Sequence, residues 1–288
     1  MHYQHRFHAG NFADVFKHVL LCGLLRALNR KDTPWAYVET HAGAGAYELR
    51  DAAAARTAAE RTGEFHDGIA RLIAATDAPA PVAAYLDVVR AMNGNAAGAG
   101  ELRRYPGSPW FALQAARSTD RVLLCEREPA IAAELRGALA ADPRVAIHQR
   151  DGYEAAALLP PREKRGLVLI DPPFERPDEF DAVGAFVARA LARFGNGVYA
   201  IWYPYKKRFD SERFLRRLRR DCPREAINYV LDTGAPSEGQ MHACGVVVVN
   251  PPYAFTVEIA AALPWLADML AQGAKAQTRI EHWPAGKP

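Results

Sequence analysis

Residues 166–174 read GLVLIDPPF, an apolar run that ends in a carboxylate, two prolines and an aromatic ring. A segment that is apolar at nearly every position, not at alternate ones, has the pattern of a strand buried on both faces. Proline cannot donate to a β-ladder, so Pro172 and Pro173 stop the strand. Each X-Pro bond also holds the preceding residue in extended backbone, which fixes Asp171 and the Pro172 carbonyl as a preorganised acceptor pair beside the Phe174 ring. Similar runs lie on either side: WAYVET (35–40), RVLLCE (121–126), RVAIH (144–148), GVYAIWY (197–203), AINYVLD (226–232) and CGVVVVN (244–250). Helix-length segments separate most of them. This alternation predicts an α/β fold with a mostly parallel sheet covered on both faces.

A helix precedes the first strand. From Asn11, the expected N-cap, apolar residues recur at Phe12, Val15, Phe16, Val19, Leu20, Leu24, Ala27 and Leu28 with the 3.6-residue period, and Asp14, Lys17 and His18 share the opposite, more polar face. Between residues 50 and 104 an Ala-rich stretch reads as two or more helices inserted into the α/β domain, which then comprises residues 1–49 and 105–288.

At 288 residues with 50% hydrophobic and 24% charged content, the chain reads as an ordinary globular protein with a sizeable core. No apolar run reaches the roughly 20 residues of a membrane span, and the start MHYQHRFHAGN has no apolar signal core, so a cytoplasmic location is expected. The four cysteines are widely spaced and suggest neither a disulfide framework nor a zinc knuckle. His2, His5 and His8 lack a neighbouring carboxylate or cysteine set, so no metal site is expected.

The strand ends carry the chemistry. After the first strand, THAGAGAYE (40–48) places Gly43 and Gly45 where a ligand needs close approach to the backbone. The second strand ends at Glu126, suited to ribose hydroxyls, and the third at Asp151-Gly152, suited to an adenine edge. The fourth ends at Asp171. Polar residues and glycines delivered at one sheet edge by consecutive strands predict a nucleotide cleft there. Charge is concentrated elsewhere: YKKRFDSERFLRRLRR (205–220) holds eight Lys or Arg against Asp210 and Glu212, a local +6 that leaves −3 for the rest of a chain of formal net +3. Lys206, Lys207, Arg208, Arg213, Arg216, Arg217 and Arg220 are the expected nucleic-acid contacts. The plainer reading of this run is a solvated amphipathic helix with Phe209, Phe214, Leu215 and Leu218 inward.

Glycine turn, acid, Asp and (D/N)PP(Y/F) after successive strands resemble an S-adenosylmethionine-dependent amino-methyltransferase of the Rossmann-like class I. YQHRFHAGNFADVFKH, THAGAGAY, YPGSP (105–109), LIDPPFE and GVVVVNPP together resemble the bacterial family that methylates adenine N6 in 23S ribosomal RNA. The likeness runs over nearly the whole chain. It implies a Rossmann-like methyltransferase domain with an inserted helical subdomain, S-adenosylmethionine as cofactor, and 23S rRNA, protein-free or in early assembly, as partner. It also implies that His18, His41, Ser108, Glu126, Asp151 and Gly152 bind the donor, that Asp171 is the catalytic acceptor, and that residues 1–18, with Tyr3, form a lid. Phe174 departs from the more usual tyrosine; stacking survives the change and a phenolic hydrogen bond does not.

A second string, NPPY (250–253), matches the adenine-methyltransferase motif better as text. Its strand is expected to be inserted antiparallel and to point its end away from the cleft, which leaves Asp171 as the catalytic residue and NPPY as a strand stop. Three other classes compete. A nicotinamide dehydrogenase would use the glycine turn but leave DPPF and the basic run without a role. A non-catalytic RNA-binding protein would use the basic run alone. A DNA adenine-N6 methyltransferase would share the acceptor motif.

Overall fold

The computed structural model describes residues 8–49, 64–95, 98–205, 208–236 and 241–286. Its strands in chain order are β1 (Ala36–Glu39), β2 (Ala46–Glu48), β3 (Arg104–Pro106), β4 (Arg121–Glu126), β5 (Val145–Gln149), β6 (Gly166–Ile170), β7 (Val198–Pro204), β8 (Ala226–Asp232), β9 (Ala243–Val249) and β10 (Gln277–Trp283). The main sheet has the order β10-β8-β9-β7-β6-β1-β4-β5. Strands β5, β4, β1, β6 and β7 are parallel neighbours. β9 runs antiparallel to both β7 and β8, and β10 antiparallel to β8. The expected mixed, mostly parallel sheet is therefore the one observed. β10 is not legible as a strand in the sequence: it is an edge strand with mostly exposed residues, so QTRIEHW lacks an apolar run.

Side-chain alternation splits the core. Tyr37, Val122, Leu124, Leu167 and Leu169 face one layer, built from α1 (Phe12–Asn29), the single turn α2 (Ile69–Leu72), α3 (Ala80–Met92), α4 (Ser108–Ala115), α5 (Pro129–Leu139) and α8 (Tyr253–Met269). Val38, Leu123, Val168, Ile170 and Ile201 face the other, built from α6 (Glu179–Arg193) and α7 (Arg208–Asp221). β6 is buried at all five positions, as its sequence requires.

Helix α1 starts where its cap predicts: the Asn11 side chain accepts the Asp14 N–H at 2.9 Å. It is not a surface helix, because 15 of its 18 residues are buried, including Asp14, Lys17 and His18 on the polar face. α3, α4 and α8 all pack around it. β2 and β3 form a two-stranded ribbon, pairing Tyr47 with Tyr105, so the chain leaves toward residue 50 and returns at 104 side by side. The helices between them bury Ile69, Leu72, Val82, Tyr85, Leu86 and Val89 in the same core as α1. All four cysteines are free and buried. Among the described residues, no helix is long and apolar enough to cross a membrane.

Candidate active site at the carboxyl edge of the sheet

β1 lies between β4 and β6, and the chain runs from β1 out to β4 and β5 before returning to β6 on the other side. That reversal opens a crevice beyond the carboxyl ends of β1 and β6, where open α/β sheets bind ligands. The turn after β1 is built for close approach. Gly43 and Gly45 have φ of +63° and +82°, and a Cβ at Gly43 would lie 2.3 Å from the Tyr47 hydroxyl. Glu126, at the end of β4, accepts the Gly43 N–H at 3.0 Å and the Glu128 N–H at 2.8 Å. Asp151 follows β5 and caps the 3-10 segment Gly152–Leu158 by accepting the Tyr153 N–H at 2.9 Å. At Gly152 a Cβ would sit 2.1 Å from the Thr40 carbonyl oxygen, so only glycine lets this segment start against the end of β1.

The donor residues expected from the sequence divide into two groups. Gly43, Gly45, Glu126, Asp151, Gly152 and His41 gather around the loop ends of β1, β4 and β5. The His41 Nδ1 is 2.8 Å from Thr40 Oγ1 and its ring meets Tyr153 edge-on at 5.2 Å. Burial pulls its pKa down to about 4, so the imidazole is neutral near pH 7. Ser108 and His18 are buried behind them. The Ser108 hydroxyl donates to Glu39 Oε1, and the Tyr37 hydroxyl donates to Glu39 Oε2 at 2.9 Å. Burial raises Glu39 to about 8, in spite of these two donors. His18 shares a hydrogen bond with the Tyr105 hydroxyl at 2.8 Å and packs on Phe111 with a centroid distance of 4.7 Å.

Asp171 has a partner that sequence reasoning misses. Lys17 Nζ donates to Asp171 Oδ2 at 2.5 Å and to Asp14 Oδ1 at 2.9 Å, while Asp14 Oδ2 accepts the Gly10 N–H at 3.1 Å. Burial alone would favour neutral Lys17, but the two carboxylates outweigh it and hold its pKa well above the ordinary lysine value. Asp14 and Lys17 are 4% and 5% exposed, and Asp171 is 15% exposed. The only signal in the sequence is an i,i+3 Asp-Lys pair on a largely apolar helix; its third member lies 154 residues away.

Phe174 adopts φ +51°, a conformation rarely taken by a bulky residue, and its ring lies 4.8 Å from Phe180 and 5.7 Å from Trp202 by centroid. NPPY sits at the opposite sheet edge. Val249 pairs with Tyr199 near the start of β7, and the Asn250 amide donates to the carbonyls of Gly195 at 3.1 Å and Gly197 at 2.7 Å.

The basic run forms α7 as expected and buries Phe214, Leu215 and Leu218. Phe209 corrects the expectation: it is 69% exposed, because five residues before Phe214 places it about 140° round the helix. The arginines carry acidic neighbours. Arg208 pairs with Glu212 at 2.6 Å, Arg220 with Asp221 at 2.7 Å, and Arg217 with Asp181 of α6; Arg213 and Arg216 stand 4.0 Å from Asp210 and Glu212. Lys206, Lys207 and Tyr3 lie outside the described residues, as do His2 and His5. Residues 12–18 are the first turns of buried α1, which confines any lid to the segment before Asn11.

This geometry can be set beside known proteins. The profile of the family described as "Ribosomal RNA large subunit methyltransferase D, RlmJ" matches residues 32–283. Two relatives named ribosomal RNA large subunit methyltransferase J are similar over 270 residues, 93% of this chain and 93% of theirs: the Escherichia coli (strain K12) protein at 39% identity and the Haemophilus influenzae protein at 38%. A crystal structure of a Legionella pneumophila protein, 34% identical, superposes with a TM-score of 0.85 over 97% of this chain and 99% of that one. With the profile spanning most of the chain and both relatives above 30% identity along nearly all of it, the chain belongs to the RlmJ family of ribosomal RNA large subunit methyltransferases.

Proposed function

We propose that this protein transfers a methyl group from S-adenosylmethionine to the N6 amine of an adenosine in 23S rRNA. The observation that carries the reading is a partly exposed Asp171 carboxylate at the crevice mouth, locked on one side by Lys17 and followed by the rigid Pro172. Adenine N6 is a poor nucleophile because its lone pair is delocalised into the ring. With the N6 hydrogens accepted by Asp171 and the Pro172 carbonyl, that lone pair is localised as the nitrogen rehybridises. Lys17 holds the carboxylate in one orientation, and Phe174 offers the base a stacking face worth about 1–3 kcal/mol. The target base must be unpaired or extruded to reach this site.

The residues at the turn fit the cofactor. Gly43 and Gly45 admit a ligand against the backbone, and Glu126 has used two of its roughly four acceptor positions, leaving others for ribose hydroxyls. Asp151, Gly152 and His41 complete the wall, with Ser108 and His18 supporting it from behind. When bound, S-adenosylmethionine supplies an electrophilic methyl on a sulfonium. Orientation of the acceptor amine by these fixed groups contributes part of the roughly 7–11 kcal/mol available from positioning.

The test is incorporation of labelled methyl into protein-free 23S rRNA and into DNA, followed by nucleoside analysis. N6-methyladenosine in the RNA is expected. Label in another nucleoside, or in DNA alone, would remove this reading.

A further inference from the structure

Tyr153 touches three of the segments that close the crevice. Its N–H donates to Asp151 after β5, its ring meets His41 edge-on after β1, and its hydroxyl donates to Glu179 Oε1 at 2.5 Å, at the start of α6. The last contact reaches across the sheet. β5 and β6 are separated by β4 and β1, so strand pairing does not fix the loops that follow them relative to each other; the phenol bridges them.

The loop after β6 needs such an anchor. Residues 171–175 have no regular structure and residues 175–178 are exposed. Lys17 holds one end at Asp171, and after Pro172 the next buried residue is Glu179, 3% exposed. Phe180 follows directly, and its ring supports Phe174 at 4.8 Å.

A packing role alone explains the pair poorly. The hydroxyl of a core tyrosine needs only a carbonyl or a water as acceptor, whereas a carboxyl buried at a helix start costs desolvation. Replacing both partners of a buried hydrogen bond by apolar groups of the same shape is often nearly neutral, so what the pair adds is a fixed geometry. Burial, with the Glu179 carboxyl beside it, pushes the Tyr153 pKa up, and the hydroxyl stays protonated across the neutral range.

We propose that Tyr153 is a positioning residue for methyl transfer: by holding Glu179 it sets where the acceptor loop stands relative to the donor wall. The inference rests on the proposed reaction, in which amine, methyl and sulfonium must lie in line. The groups that would place the sulfonium follow β1 and β5, and those that would place the amine follow β6, so a small shift between the loops misaligns the transfer.

Three variants of the full chain test this. Tyr153→Phe deletes only the hydroxyl, Glu179→Gln keeps an acceptor oxygen for it, and Tyr153→Phe combined with Glu179→Met makes the pair apolar. Single-turnover transfer to a 23S rRNA fragment is measured at saturating donor and RNA, with donor affinity by calorimetry, RNA affinity by fluorescence anisotropy and folding by thermal melting. Tyr153→Phe should slow transfer about tenfold, with both affinities within about twofold of wild type. Glu179→Gln should keep the wild-type rate. The double variant should melt near the wild-type temperature and still transfer slowly; should Tyr153→Phe alone not fold, this variant decides. A double variant that regains its rate along with its stability makes the pair a packing feature and overturns the inference. So does a wild-type rate in folded Tyr153→Phe, or a loss traced wholly to weaker donor binding. Wild-type protein that leaves adenine N6 unmethylated removes the proposed reaction and this inference with it, a result distinct from the others, which are read against an active wild type.

Discussion

Lys17 Nζ, 2.5 Å from Asp171 Oδ2, ties the first turns of α1 to the loop after β6 through a buried ion triad completed by Asp14. Its members are not equivalent. Removing the cation leaves two buried carboxylates facing each other, whereas removing Asp171 leaves Lys17 paired with Asp14. Lys17→Met is expected to cost about 3–5 kcal/mol, the scale of breaking a buried ion pair on one side, and Asp171→Asn distinctly less. Urea unfolding of the two variants gives the comparison; equal losses would mean that the triad is not coupled as its distances indicate.

The Glu39 carboxyl gives a pH signature. Its folded-state pKa is raised to about 8 from an ordinary 4.5, so its contribution is full below pH 4.5 and is lost as pH rises toward 8. His41 works in the other direction. Lowered to about 4 from 6.5, it favours folding progressively as pH rises through that interval and adds nothing above it. Between about pH 6.5 and 8 only the decline from Glu39 remains of these two. Melting temperature should fall across that window in the wild type and stay flatter in Glu39→Gln. Each tenfold change in a proton-binding constant is worth about 1.4 kcal/mol, so the difference is a few kcal/mol at most.

At the glycine turn, Gly45→Ala would force an L side chain to φ +82° with its Cβ 3.0 Å from Leu135 Cδ1. The expected cost is about 1–2 kcal/mol of stability. S-adenosylmethionine affinity, measured by calorimetry, should fall as well, because the backbone that lines the crevice must shift. Intact affinity in a strained variant would place the donor elsewhere.

The outer face of α7 is the place to test phosphate binding. Arg216 and Arg220 are 65% and 71% exposed, and exposed ion pairs with Glu212 and Asp221 hold them only weakly. Replacing each by Gln should reduce the log–log salt slope of RNA binding by roughly 0.7–0.9 for every phosphate no longer neutralised. An unchanged slope would return these arginines to ordinary solvation.

Much of this is legible along the chain because it depends on local rules. Continuous apolar runs identify the interior strands, Asn11 marks the start of α1, and the prolines after Asp171 and Asn250 mark strand ends. What is not legible depends on distance. The Lys17–Asp171 pair joins residues 154 apart, and no local pattern tells that the polar face of α1 is buried as deeply as its apolar one. The strand β10 hides because an exposed edge needs no hydrophobic alternation. Phe209 reads as inward on its chemistry, whereas the helix period places it outward.

The two proline strings provide the sharpest contrast, since they end strands at opposite edges of one sheet. If Asp171 accepts from N6, Asp171→Ala removes an interaction that strengthens in the transition state. Turnover should then fall by about 10²-fold or more, with little change in donor affinity. Asn250 does a different job. Its φ of +52° suits asparagine, and its amide satisfies the carbonyls of Gly195 and Gly197 in the turn before β7. Asn250→Ala should therefore cost about 1–3 kcal/mol of stability by leaving those acceptors unpaired, with turnover within a few-fold of wild type. Phe174→Tyr should be nearly silent, because the added hydroxyl leaves the ring faces unchanged, and Phe174→Ala should lose about 1–3 kcal/mol, mainly in substrate binding. Single-turnover methyl transfer to a 23S rRNA fragment, with circular dichroism as the folding check, reads all four variants. A folded Asn250→Ala protein without activity beside an active Asp171→Ala protein would move the catalytic site to the other edge of the sheet.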